Sequence, residues 1–203
     1  MERMEINKRW DIINALIEKN NYKSYLEVGT QDPKSNFDKI NTEYKVSIDP
    51  FPRGEVTFVG TSDEYFESIS DDVKFDIIFI DGLHHNDQVL KDVENSLKHL
   101  NKGGIIVCHD SLPSNEREQE RNDHGGVWLG DVWKAIAELR MTRDDLIIET
   151  IDTDLGCCLI SRGSSEKWDS KGEDWELYTY YVSNKKELMN VISVNDFIEK
   201  YLN

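Results

Sequence analysis

Apolar residues along this chain fall into two rhythms. Short dense runs alternate with longer stretches in which they recur every third or fourth position, and this alternation predicts an α/β fold. The run FDIIFI, 75–80, is too short for a long helix and rich in β-branched and aromatic residues, so it reads as a strand buried on both faces. Val89, Leu90, Val93, Leu97 and Leu100 then recur at helical spacing over 87–100, with Asp87 at the positive start and Gly103 and Gly104 expected to stop the helix. A second buried strand, 104–108, follows. Strand, helix and strand have the length of a right-handed crossover, which makes the two strands parallel neighbours. Their carboxyl ends bring Asp81, His84, His85, His109 and Asp110 to one rim of the sheet, where open α/β sheets bind ligands.

The same reading extends in both directions. Ile6, Trp10, Ile13, Leu16 and Ile17 predict a helix over 6–19 that packs on the sheet. A strand over 25–30 ends in Glu27, Gly29 and Thr30, and Pro33 suits the first turn of a following helix. Further strands are expected over 44–49, ending in Asp49, and over 55–59. A helix from Thr61 or Ser62 to Ile69 comes next. Residues 111–126 are polar and nearly free of apolar side chains, which predicts an exposed loop; at this rim such a loop fits a lid and equally an ordinary mobile surface. Val132, Trp133, Ile136 and Leu139 predict a helix over 131–141, and runs over 146–151 and 157–161 are close enough to form an antiparallel hairpin. The chain divides into a domain over 1–162 and a helical tail over 163–203. In the tail, Asn184 with Glu187 and Ser193 with Asp196 read as helix caps, and the tail is expected to pack on the domain or on a second subunit as a homo-oligomer.

Composition narrows the function. With 38% hydrophobic residues in 203, the chain can bury one sizeable core. Forty Asp and Glu against 24 Lys and Arg give a net charge of −16, which repels phosphate backbones and anionic membranes, and no basic patch offsets it. Nucleic acid and membrane are therefore not expected partners. No apolar run approaches the ~18 residues of a spanning helix, and the amino terminus lacks a signal-peptide core. Cys108, Cys157 and Cys158 lie in or beside strand-like runs without C-x-x-C spacing, as buried thiols in a reducing compartment do. A cytoplasmic location is expected.

The segments YLEVGTQDPKSNF, KVSIDP, TSDEYF, FDIIFIDGLHHNDQVLKDVENSLKHLNKGGIIVCHD and GDVWKAIAELR, in this order over 22–162, resemble class I S-adenosylmethionine-dependent methyltransferases, and more closely the small group allied to sugar and macrolide O-methyltransferases. The resemblance implies a doubly wound, mostly parallel, seven-stranded sheet with a C-terminal antiparallel hairpin, a Rossmann-like methyltransferase fold. It also implies transfer of a methyl group to the oxygen of a small hydroxylated, sugar-like acceptor. It places Glu27, Gly29 and Thr30 at the turn under the methionine part of the cofactor and Asp49 at the ribose hydroxyls. Ser62 and Asp63 fall beside the adenine, and Asp81 beside the methyl group. In related sugar methyltransferases a divalent metal occupies this rim, so Asp81, His109 and Asp110 become ligands for Mg2+ or a similar ion; Asp110 serves equally as a cap on its loop. His84 is the expected general base, since an imidazole titrates near neutral pH, and His85 the solvated neighbour. Thr30, Gln31, Asp32 and Pro33 stand where the family pattern has further glycines. Two rivals stay in view: the E-x-G turn and the ribose-binding acid also fit a nicotinamide-dependent oxidoreductase, which the lack of G-x-G-x-x-G and the terminal hairpin disfavour, and the altered turn fits a non-catalytic binding protein on the same fold.

Overall fold

The structure is a computed structural model that describes residues 5–203; the first four residues of the amino-terminal stretch lie outside it. Along the chain come α1 (Arg9–Asn20), β1 (Ser24–Val28), β2 (Tyr44–Asp49), β3 (Phe58–Val59), α2 (Ser62–Ser68), β4 (Phe75–Ile80), α3 (Asn86–Lys98), β5 (Leu100–Cys108), α4 (Val132–Thr142), β6 (Leu146–Ile151), β7 (Cys157–Arg162), α5 (Tyr178–Leu188), β8 (Val191–Ile192) and α6 (Val194–Phe197). The strands form one sheet in the order β3-β2-β1-β4-β5-β7-β6-β8. β7 runs antiparallel to both of its neighbours, and the other pairings are parallel. The sheet therefore has eight strands rather than the expected seven, the eighth being two residues of the tail beside β6.

Side chains alternate across the central strands. Phe75, Ile78 and Ile80 face one core with Val89, Val93, Leu97, Trp133 and Ile136; Ile77 and Phe79 face the other with Ile12, Ile13, Leu16 and Phe197. Helices thus cover both faces, as a sheet that is apolar on both sides requires. The tail is part of these cores: Leu188, Met189 and Phe197 are fully buried, and Tyr181 packs at 4.7 Å on Trp133.

Several expectations change. The helix after β1 is only a pair of 3-10 turns, Pro33–Ser35 and Phe37–Lys39, begun by Asp32, whose carboxylate accepts the Lys34 amide. α3 ends at Lys98, before the glycines, because His99 turns its Nδ1 onto the Val73 carbonyl at 2.8 Å and its own carbonyl accepts the Phe75 amide. β5 starts at Leu100, and Gly103 (φ +81°) belongs to an irregular stretch of that strand where the pairing with β4 shifts register. The 55–59 strand shrinks to Phe58–Val59, and Thr61, not Ser62, caps α2 in a capping box with Glu64. Asn184 lies inside α5 rather than at its start. The 111–126 loop is exposed only from Ser114 onward; Ser111, Leu112 and Pro113 are buried, with the Ser111 and Leu112 amides bonded to Gly156 and Leu155 in the β6–β7 turn.

Candidate active site

β1, β2, β4, β5 and the β6–β7 turn all end on the same rim. At its centre, two carboxylates and two imidazoles make a closed ring. His84 Nε2 lies 3.3 Å from both Asp81 Oδ1 and Asp110 Oδ2, and His109 Nδ1 lies 3.3 Å from Asp81 Oδ1 and 3.0 Å from Asp110 Oδ1. Asp110 joins it by adopting a left-handed backbone (φ +57°) one residue beyond His109, which follows β5, a conformation that aspartate tolerates better than most residues. Two carboxylates this close repel unless positive charge lies between them, and the imidazoles supply it. Burial opposes charge on both histidines. At His84 the hydrogen bond and charge of Asp81, with Asp110 behind, still raise the pKa; at His109 the charge of Asp81 and the Asp110 and Asp154 carboxylates raise it well above the usual range. Burial would likewise raise Asp81, but His109 and His84 outweigh it and hold the carboxyl well below its ordinary range.

Two further residues close the back of the ring. Asp154, from the β6–β7 turn, lies 3.5 Å from His109 Nε2 and accepts from Lys8 Nζ (2.8 Å) and from the Arg9 amide (3.0 Å). Arg9, the first residue of α1, places Nη1 3.4 Å from Asp154 and 3.2 Å from His109 Nε2, with Nε 3.9 Å from Asp81. Sequence reasoning missed both. A signal existed for Arg9: a cation at the positive end of a helix is unfavourable there and needs an anion elsewhere to explain it.

His84 also carries an aromatic cover. Trp128, from the long loop, stacks on its ring with centroids 4.9 Å apart and meets His85 edge-on at 6.4 Å. His85 itself turns its Nε2 to the Arg121 carbonyl (3.1 Å), away from the ring of carboxylates.

The expected cofactor residues divide into two groups. Those at the β1 and β2 tips form one connected turn. Gly29 (φ +86°) packs so closely on the β4 tip that a Cβ would stand 2.2 Å from the Asp81 carbonyl oxygen. Thr30 is buried, and its amide donates to the Ile48 carbonyl at 3.1 Å. Gln31 takes a left-handed conformation (φ +47°), so a residue other than glycine makes the turn that glycine would make at less cost. Asp49 holds it there, accepting the Gln31 amide at 2.8 Å and the Phe51 amide at 2.7 Å. Glu27, 1% exposed, is held by Tyr25 Oη–H and by Asn36 Nδ2 at 2.7 Å, under the turn rather than on the open rim. Burial outweighs these hydrogen bonds and pushes its carboxyl up to about 7. Ser62 and Asp63 form the second group and engage α3: Ser62 donates to the buried Asp92 at 2.6 Å, and Asp63 accepts from Gln88 at 3.2 Å.

Asp81, His84 and Asp110 offer ligand atoms that all lie within 4.8 Å of one another, so the groups that converge as a cation site include His84 where His109 was expected. His109 instead bridges to Asp154. Two carboxylates and an imidazole suit a divalent transition ion at least as well as Mg2+, which prefers oxygen ligands throughout.

A family model described as a methyltransferase domain matches residues 13–111. Among curated proteins, none matches the chain. Solved structures share its fold. A protein assigned as a caffeoyl-CoA O-methyltransferase from Staphylococcus aureus superposes with a TM-score of 0.57 at 22% identity, over 79% of this chain and 86% of that one. The O-methyltransferase from Bacillus cereus in complex with SAH gives 0.56 at 16% identity, over 75% and 79%. TomG from Streptomyces achromogenes, an O-methyltransferase of tomaymycin synthesis in complex with SAM, gives 0.55 at 15% identity, over 81% and 84%. The family model spans just under half of the chain, and the solved structures share its Rossmann-like fold. No helix among the described residues is long and apolar enough to cross a membrane.

Proposed function

We propose that this chain transfers a methyl group from S-adenosylmethionine to the hydroxyl of a small acceptor, with His84 as general base and Asp81 beside the reacting centre. The observation that carries this reading is the ring of Asp81, His84, Asp110 and His109 at adjacent strand tips, on a fold shared with O-methyltransferases. The cofactor fits the chemistry of the rim: a turn with the left-handed shape at Gly29 and Gln31, and carboxylates at Asp49 and Asp81 to face hydroxyl groups and a sulfonium. When bound, it supplies a methyl group already activated for transfer. Gly29, Thr30 and Asp49 would hold its methionine and ribose parts, with Ser62 and Asp63 on the adenine side, while Glu27, expected among them, would support the turn from beneath. The chain's own contribution is positioning and proton removal. In its neutral form His84 takes the acceptor proton at Nε2, and Asp81 and Asp110, which raise its basicity, stabilise the imidazolium that results. A divalent ion at Asp81, His84 and Asp110 would lower the pKa of an acceptor hydroxyl, but with His84 as its ligand that imidazole could not also be the base, so the ion would replace proton removal by His84 rather than add to it. The acidic surface favours a neutral or cationic acceptor, and three free buried thiols suit a reducing cytoplasm.

Calorimetric titration of adenosylhomocysteine, with and without Mg2+ or Mn2+, tests this directly. Binding near micromolar, about −8 kcal/mol, is expected, and Asp49→Ala should weaken it. Tight NADH binding with no adenosylhomocysteine binding would overturn the reading in favour of an oxidoreductase. No binding of either would leave a non-catalytic module.

A further inference from the structure

α3 begins at Asn86 without a cap of its own: His85 occupies the N-cap position, and its side chain makes no cap hydrogen bond. An uncapped helix start leaves amide donors unpaired, and here it lies two residues from the proposed base. Asp131, 45 residues further along, fills the gap. Its Oδ1 accepts the Asn86 amide at 2.7 Å, and its own amide donates to the His84 carbonyl at 3.1 Å. A single residue therefore grips both ends of the His84–Asn86 segment. Arg121 fixes the other carboxylate oxygen, Nη1 to Oδ2 at 3.2 Å, and reaches Asn86 Oδ1 at 3.0 Å. The preceding Gly130 (φ +60°) lies so close to His84 that a Cβ there would stand 1.9 Å from the His84 carbonyl oxygen. Trp128, two residues earlier still, covers the His84 ring.

We propose that Asp131 is a positioning residue: a helix cap supplied in trans, which fixes the backbone of His84 and so aims its imidazole between Asp81 and Asp110. Asp131 lies at the start of α4 and acts through the His84–Asn86 backbone. The proposal rests on His84 mattering to the site, but its test does not depend on His84 being the base. A carboxylate at this place binds more tightly than an amide yet shares its essential geometry, since Oδ1 of either accepts the Asn86 amide.

The readout is the His84 imidazole Hε1 resonance in the proton NMR spectrum of the full chain, assigned by its disappearance in His84→Gln. The Trp128 indole stacked on the ring displaces it upfield, and Trp128→Ala gives the undisplaced position. Asp131→Ala is expected to return the resonance towards that position, whereas Asp131→Asn keeps most of the displacement. Gly130→Ala, which pushes directly on the His84 carbonyl, should move it as well and serves if Asp131→Ala does not fold. A lowered melting temperature in Asp131→Ala with the His84 resonance unmoved would overturn the proposal, because it would make Asp131 a support of α3 alone. Loss of the displacement in both Asp131→Ala and Asp131→Asn would overturn the trans cap as its means. Whether His84 is the base is read separately, from methyl transfer by His84→Gln, so the two claims fail independently.

Discussion

Glu27→Gln offers a quantitative check on the buried network beneath the cofactor turn. Burial holds the Glu27 carboxyl at about 7 against an ordinary 4.5, so the folded chain binds a proton there that the unfolded chain releases. A carboxyl whose pKa is raised on folding stabilises the fold fully below the unfolded value, and this contribution is lost as pH rises through the folded value. At about 1.4 kcal/mol per pH unit, the loss between pH 4.5 and about 7 comes to about 3 kcal/mol, a large part of a typical domain's net stability. Glutamine keeps an acceptor for Tyr25 Oη–H and Asn36 Nδ2–H. Urea unfolding of both proteins from about pH 5 to about pH 8.5 should show Glu27→Gln gaining about 2–3 kcal/mol on the wild type across that range. Groups common to both proteins cancel in the difference. A gap that stays constant with pH would refute the reasoning.

Asp92, buried in α3 and pushed up to about 6 by burial against the pull of Ser62 and Gln88, obeys the same sign. Its stabilisation should fall away between pH 3.8 and about 6, and Asp92→Asn should remove about 3 kcal/mol of that pH dependence in the same urea series. Gly29→Ala places a methyl group against the Asp81 backbone at a left-handed φ and should cost about 3 kcal/mol or more, seen as a fall in melting temperature. Gln31→Gly should stabilise by up to about 1 kcal/mol, since relief of the left-handed strain exceeds glycine's entropy in the unfolded chain; a lower melting temperature would count against that balance. His84→Gln should slow methyl transfer by about 10²–10⁴-fold while adenosylhomocysteine still binds.

The parts of the fold legible in the sequence are those set by local pattern. β4 and β6 match their expected ends because each is a short, largely apolar run bounded by turn or charged residues, and β2 because Pro50 follows Asp49 and stops it. The α3–β5 junction was misplaced because two glycines looked like a helix stop, while the actual stop is a contact between His99 and Val73, distant in sequence and invisible to pattern. β8 is too short to leave any pattern. In the site, Asp81, His84, His109 and Asp110 were legible because strand ends deliver them. Arg9 and Asp154 were not, for they meet across 145 residues. The turn after β1 lacks the glycines a pattern search expects, yet Asp49 and Gln31 rebuild much of its shape from other residues.

The position of β7 has a consequence during synthesis. It inserts between β5 and β6, so until residue 162 has left the ribosome Ile106, Val107 and Cys108 of β5 present a bare edge on the side that β7 will take. Such an edge recruits other strands. Asp154, which neutralises Arg9 and His109, emerges only just before it. A nascent chain stalled between residues 110 and 155 would hold an unbalanced charge cluster beside an open sheet, a state for holdase chaperones to shield, and the hairpin closes both defects in one step.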